Sequence, residues 1–135
     1  MPEKTFTVEE AEAMLPTIEP LVSSLMEHKR SAFKLSEELS SLQKKAKSSG
    51  GVEASALMNK QTEIEFLIEI ITEGLSAIEK LGAHPKDLDL GLVDFPATID
   101  GESVLLCWRY GEKSIDYYHG HSEGFAGRKP LKRTR

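Results

Sequence analysis

The sequence predicts an α+β fold: a long antiparallel helical hairpin, begun by a short proline-kinked helix, packed against a small three-stranded antiparallel β-meander. Three observations predict it. Apolar residues recur at helical spacing over residues 11–42 and again over 57–78. A basic segment ending in two glycines, residues 44–51, separates the two runs. After Gly82 the period changes, and residues 103–110 alternate cleanly.

The first helix starts at Thr7, which with Val8, Glu9 and Glu10 forms the capping-box pattern: a hydroxyl that accepts from the third helical amide and a carboxylate that reaches back. Ala11, Met14, Leu15, Ile18, Leu21, Val22, Leu25, Met26, Phe33, Leu35, Leu39 and Leu42 supply its apolar positions. Pro16 and Pro20 lack amide protons and clash with the preceding turn, so a short helix is expected to end near Leu15 and a long one to begin at or just after Pro16 or Pro20. Lys44, Lys45 and Lys47, followed by Ser48, Ser49, Gly50 and Gly51, read as a loop.

The second helix is expected over about residues 52–81, with Leu57, Gln61, Ile64, Ile68, Ile71, Leu75 and Ile78 as its seam and Glu63, Glu65, Glu69, Glu73 and Glu79 largely off it. Leu67 and Ile70 widen the stripe, so a second side is expected to bury against the meander or a partner chain. Gly82 ends the helix, with Pro85 beyond. Residues 92–99 are strand-prone, with Pro96 confining them to an edge or a bulge. Asp100-Gly101 signals a hairpin. Val104, Leu106, Trp108 and Tyr110 then face one side of a strand, with Leu105, Cys107 and Arg109 on the other. A turn at Gly111, Glu112 and Lys113 leads to a third strand over 114–119.

At 135 residues, one domain is the economical reading: a hairpin over about 7–82, a meander and glycine-rich segment over about 88–128, and a basic flexible tail over 129–135. Hydrophobic residues at 39% and charged residues at 29% suit a folded chain. No apolar run is long enough to cross a bilayer and residues 1–7 lack signal-peptide order, which predicts a cytoplasmic protein without a membrane partner. A single cysteine, Cys107, excludes an internal disulfide and a cysteine-rich zinc site. The net charge of -5 argues against general nucleic-acid binding.

Polar residues that packing alone does not explain gather between Asp87 and Arg128. On an extended strand His119, His121 and Glu123 project from one side, offering two imidazoles and a carboxylate to a divalent metal, with Asp94 or Asp89 as a further ligand. The other reading makes His119 a hydrogen-bonded structural histidine and His121 an exposed one. Gly124, Phe125, Ala126, Gly127 and Arg128 suit an anion pocket, or a glycine-rich turn whose Phe125 packs and whose Arg128 pairs with Asp94 or Glu112. Asp87, Asp89 and Asp94 lack the EF-hand spacing; capping and turn chemistry explain the first two, whereas a buried Asp94 needs a partner. Cys107 beside Trp108 reads as packing, with metal ligation as the alternative.

Residues 89–96 (Asp89, Leu90, Gly91, Leu92, Val93, Asp94, Phe95, Pro96), Leu106-Cys107-Trp108 with Gly111-Glu112, Tyr118-His119 and the segment from Gly124 to Arg128 resemble the signature of an uncharacterised bacterial family, the domain of unknown function 2203. The likeness extends over nearly the whole chain, including Phe6-Thr7 and Leu15-Pro16. It implies a pattern matched by Asp94, Cys107, Trp108, Glu112, His119 and Arg128, and it leaves His121 out. Asp94, Glu112, His119 and Arg128 thus form a ligand-binding candidate set, converging on one ligand or on one another. For function the expectation is a non-catalytic binding or assembly module whose hairpin forms a homodimer or docks a protein partner. The alternative is a protein that binds a divalent metal or small anion, an enzyme included, through the meander.

Overall fold

The computed structural model describes residues 3–49 and 53–132. Among the described residues two helices, α1 (Val8–Ser49) and α2 (Ala54–Lys80), precede five strands: β1 (His84–Asp87), β2 (Leu92–Ile99), β3 (Glu102–Arg109), β4 (Tyr117–His119) and β5 (Lys129–Pro130). The strands form one antiparallel sheet in the order β1-β2-β3-β4-β5.

The capping box forms as expected: the Thr7 amide donates to Glu10 Oε1 at 2.9 Å, and the Glu10 amide to Thr7 Oγ1 at 3.0 Å. The expected break near Leu15 does not occur, because α1 runs uninterrupted through Pro16 and Pro20. Each proline costs roughly 3 kcal/mol in a helix interior. Both are exposed, while Ala11, Leu15, Ile18, Val22 and Leu25 are buried along the opposite stripe. Burying a side chain the size of leucine contributes roughly 1.5–3 kcal/mol, so the stripe on either side of the prolines holds the helix together. Lys44, Lys45 and Lys47 also lie in α1 and not in a loop; they sit near its C-terminal end, where the helix dipole favours cations. Gly50, Gly51 and Val52, assigned to that loop and to the start of α2, lie outside the described residues.

The two helices meet along rows spaced three and four apart. In α1 the row is Leu25, His28, Ala32, Leu35, Leu39, Leu42 and Ala46; in α2 it is Leu57, Lys60, Ile64, Leu67, Ile71, Gly74 and Ile78. The α2 row lies one position away from part of the expected seam: Gln61 is exposed and Ile68 is 54% exposed. Lys60 takes the inward place because its stem packs while its ammonium reaches Glu38 at 2.7 Å. Gly74 lets the helices approach, since a Cβ there would stand 2.5 Å from Leu25 Cδ2. No described residue of α1 after Leu25, and none of α2 before Ile78, is buried, so the hairpin contributes only its base to the main core.

Among the described residues the sheet has five strands and not the expected three. β1 escapes the alternation rule because it holds Pro85 and a register shift before Asp87; it exists by pairing with the edge of β2. The third expected strand shortens to β4, since Ile115 turns into the core and its amide donates to Glu12 Oε2 at 2.9 Å. The expected tail begins as β5, and the Leu131 amide donates to the Asp116 carbonyl at 2.8 Å. Residues 133–135 of that tail lie outside the described residues. Asp100 and Gly101 both have positive φ, as the two-residue hairpin turn requires. β2 is flanked by β1 and β3, but β1 pairs only with Leu92–Asp94; Pro96 lies beyond it, and its carbonyl accepts from the Phe6 amide at 2.7 Å. Its nitrogen faces the same way as that carbonyl, so the ladder to β3 loses no donor.

Alternation divides the sheet into two buried faces. Val93, Phe95, Ala97, Val104, Leu106 and Trp108 join Phe6, Ile18, Val22 and Ile78 in the core against the hairpin. Leu92, Asp94, Pro96, Leu105, Cys107 and His119 lie on the other face.

Candidate metal centre

The register of this second face brings three unlike side chains together. Asp94 pairs directly with Cys107 across β2 and β3, and His119 pairs with Leu105, one diagonal step from Cys107. One carboxylate oxygen, the sulfur and one imidazole nitrogen lie within 4.8 Å of one another, and all three residues are buried.

His119 Nε2 stands 3.1 Å from Asp94 Oδ2, with both side chains only 4% exposed. His119 Nδ1 is 2.8 Å from the Gly120 carbonyl, which can only accept, so Nδ1 carries a hydrogen and donates. Nε2 and Oδ2 therefore share a single proton, which gives the pair no net charge. The partner that a buried Asp94 requires is this imidazole.

Burial pushes the Cys107 thiol up to about 11, and the Asp94 carboxylate adds to the effect; the Arg128 guanidinium, which hydrogen-bonds the sulfur, opposes it. At neutral pH the residue is a thiol. Neither imidazole nitrogen is free to take its proton, so the arrangement does not serve a cysteine nucleophile.

Arg128 makes the second pair. Its guanidinium donates to Glu112 Oε1 at 3.2 Å and Oε2 at 2.8 Å, and lies over the rings of Tyr117 at 4.0 Å and Phe125 at 4.5 Å. Glu112 is itself held by the Arg109 amide at 2.7 Å. Asp94, Glu112, His119 and Arg128 thus form two neutral pairs, with Cys107 between Asp94 and Arg128.

His121 and Glu123 are placed differently from the extended arrangement. β4 stops at His119 and the chain turns at His121 and Ser122, so the three side chains do not project from one strand. His121 is exposed, with Nε2 2.8 Å from Ser103 Oγ. Glu123 folds back to accept from the Gly120 amide at 2.8 Å, and lies 3.2 Å from Lys129 Nζ; the Gly120 amide first, then Lys129, holds its carboxyl below the usual range. Asp87 Oδ1 accepts from the amides of Asp89 and Leu90, and Asp89 pairs with Lys29 on α1, so neither belongs to the centre. His121, Glu123, Gly124 and Phe125 line a cavity of about 160 Å³ together with Asp94, Cys107 and His119, and with Lys86, Leu92 and Leu105.

Cys107, read from the sequence as packing with metal ligation as the alternative, is buried in the same group as Asp94 and His119. His119 is 12 positions further on in sequence and comes near Cys107 only through the pairing of β3 with β4.

The chain belongs to the family described as Uncharacterized conserved protein (DUF2203), whose model matches residues 4–131. No curated protein and no solved structure matches it.

Proposed function

We propose that this DUF2203 chain holds a divalent metal of the zinc type between Asp94, Cys107 and His119. The observation that carries the reading is a buried oxygen, nitrogen and sulfur donor set whose charge suits a divalent ion. Without metal the centre is neutral: one proton on the thiol and one shared by Asp94 and His119. A divalent cation that replaces both protons meets a carboxylate, a thiolate and a neutral imidazole, and the centre is neutral again. A monovalent or trivalent ion would leave net charge in a buried site. Around tetrahedral zinc such donors stand roughly 3.3–3.8 Å apart by their bond lengths, a spacing the trio reaches by small side-chain shifts. Arg128 and Glu112 neutralise each other beside it and would orient the thiolate from outside.

The test is elemental analysis of protein purified without an affinity tag or chelator, with Cys107→Ala alongside. This variant removes a ligand without orphaning the Asp94–His119 pair. Near one metal per wild-type chain and little in the variant is the expected result. Wild type that takes up neither zinc nor cobalt on dialysis overturns the reading.

A second reading concerns the hairpin, which we propose as a self-association surface. Phe33 and Phe66 are 66% and 62% exposed, and Met58 and Ile68 are exposed with them. The exposed charges of α1 beyond Leu25 are mainly basic (Lys29, Arg30, Lys34, Lys44, Lys45, Lys47), and those of α2 mainly acidic (Glu63, Glu65, Glu69, Glu73). Two copies side by side in antiparallel fashion set each basic helix against the partner's acidic one. A dimer at micromolar concentration in sedimentation, weakened about 30-fold by Phe66→Glu, is expected if Phe66 anchors the contact. A strictly monomeric wild type removes this reading.

A further inference from the structure

We infer, resting on the metal reading above, that the centre keeps a fourth coordination position open to the cavity beside it and that this position takes a short monocarboxylate. The three protein donors occupy three positions of a tetrahedral ion, and a three-ligand set with an open place is the arrangement of reactive zinc, not of closed structural sites. The cavity of about 160 Å³ touches all three donors, so the open place leads into it.

Three features of the cavity select the ligand. Its volume equals that of about five waters, so the part of a ligand that it holds is about five non-hydrogen atoms. Leu92, Leu105 and Phe125 line it, so part of the ligand is apolar. Its charge is that of a single anion. The loaded centre is neutral, Arg128 is matched by Glu112, and Glu123 by Lys129. Lys86 also lines the cavity and makes no ion pair among the described residues. One carboxylate oxygen on the metal, with the other accepting from Lys86, completes the charge balance, whereas a phosphate dianion would exceed it. Propionate has the matching size, apolar end and charge.

The experiment uses the full chain loaded with cobalt, whose visible bands report coordination and whose thiolate charge-transfer band reports Cys107. Titration with propionate is expected to shift the visible bands saturably, and Lys86→Met to weaken propionate binding about tenfold with cobalt uptake unchanged. Lys86 is exposed, so the variant leaves the fold intact. A thiolate-to-cobalt band together with visible bands indifferent to propionate overturns the open position and leaves the metal reading standing. Absence of the thiolate band overturns the metal reading and this inference with it.

Discussion

Replacing His119 by alanine is expected to cost about 3–5 kcal/mol of folding stability, because it leaves the Asp94 carboxylate buried without its partner. The two side chains are 4% exposed and 3.1 Å apart, so water does not substitute for the missing imidazole. Asp94→Ala strands the imidazole in the same way. Removing both groups is different: a buried pair replaced by apolar residues of similar volume is often neutral or stabilising, so the double variant Asp94→Leu/His119→Leu is expected to regain most of the loss. Urea unfolding of the metal-free proteins decides the matter. Single variants that each cost under about 1 kcal/mol would show that the pair is solvated and exchangeable. The double variant has a further use, since it should fold and bind no metal, separating the stability of the sheet from the chemistry of the centre.

The Cys107 thiol makes two properties of the protein depend on pH in opposite directions. Its folded-state value is raised to about 11 from the ordinary 9.0 by burial and by Asp94, so the protonated form is the one the fold prefers. The stability that follows is fully present below pH 9 and is lost as pH rises through 11, a decline of about 3 kcal/mol over that window. Urea unfolding of the metal-free protein at pH 8 and at pH 11 measures it, and Cys107→Ala is expected to remove that part of the decline.

Metal affinity runs the other way. A divalent ion displaces the thiol proton, which raises the affinity about tenfold per pH unit below 11. Cobalt titrations at pH 6.5 and 7.5 are the check. An affinity that does not change with pH would mean that the ion binds without the thiolate, which would exclude Cys107 as a ligand.

Local rules were enough wherever the determining contacts lie close in the chain. The Thr7 and Glu10 caps bond residues three apart. The hairpin signal at Asp100-Gly101 is satisfied by two positive φ angles, and a two-residue turn pairs positions equidistant from it. That symmetry places Asp94 opposite Cys107 once the turn is identified, so half of the centre was legible in the sequence. The other half was not. The connection from β3 to β4 is irregular and sets no register by local rule, so only the folded sheet places His119 beside Cys107. β1 and β5 have four and two residues, too few to carry a period; they are strands because neighbouring edges offer them hydrogen bonds.

The same division separates propensity from packing in the hairpin. Pro16 and Pro20 argue locally for a break, and the buried stripe from Ala11 to Leu25 overrides them. Leu67 and Ile68 are both apolar, so the sequence allows the seam to pass through either; the inward reach of Lys60 to Glu38 and the close approach at Gly74 turn Leu67 inward and leave Ile68 exposed. The sequence by itself determined that two helical stretches precede the strands, where the central β-hairpin turns and which residues of β2 and β3 share a strand face, because those follow from contacts within a few residues. Tertiary structure alone decided the continuity of the first helix, the facing rows of the hairpin and the meeting of Asp94, Cys107 and His119, because each depends on energies of burial and pairing between positions far apart in the chain.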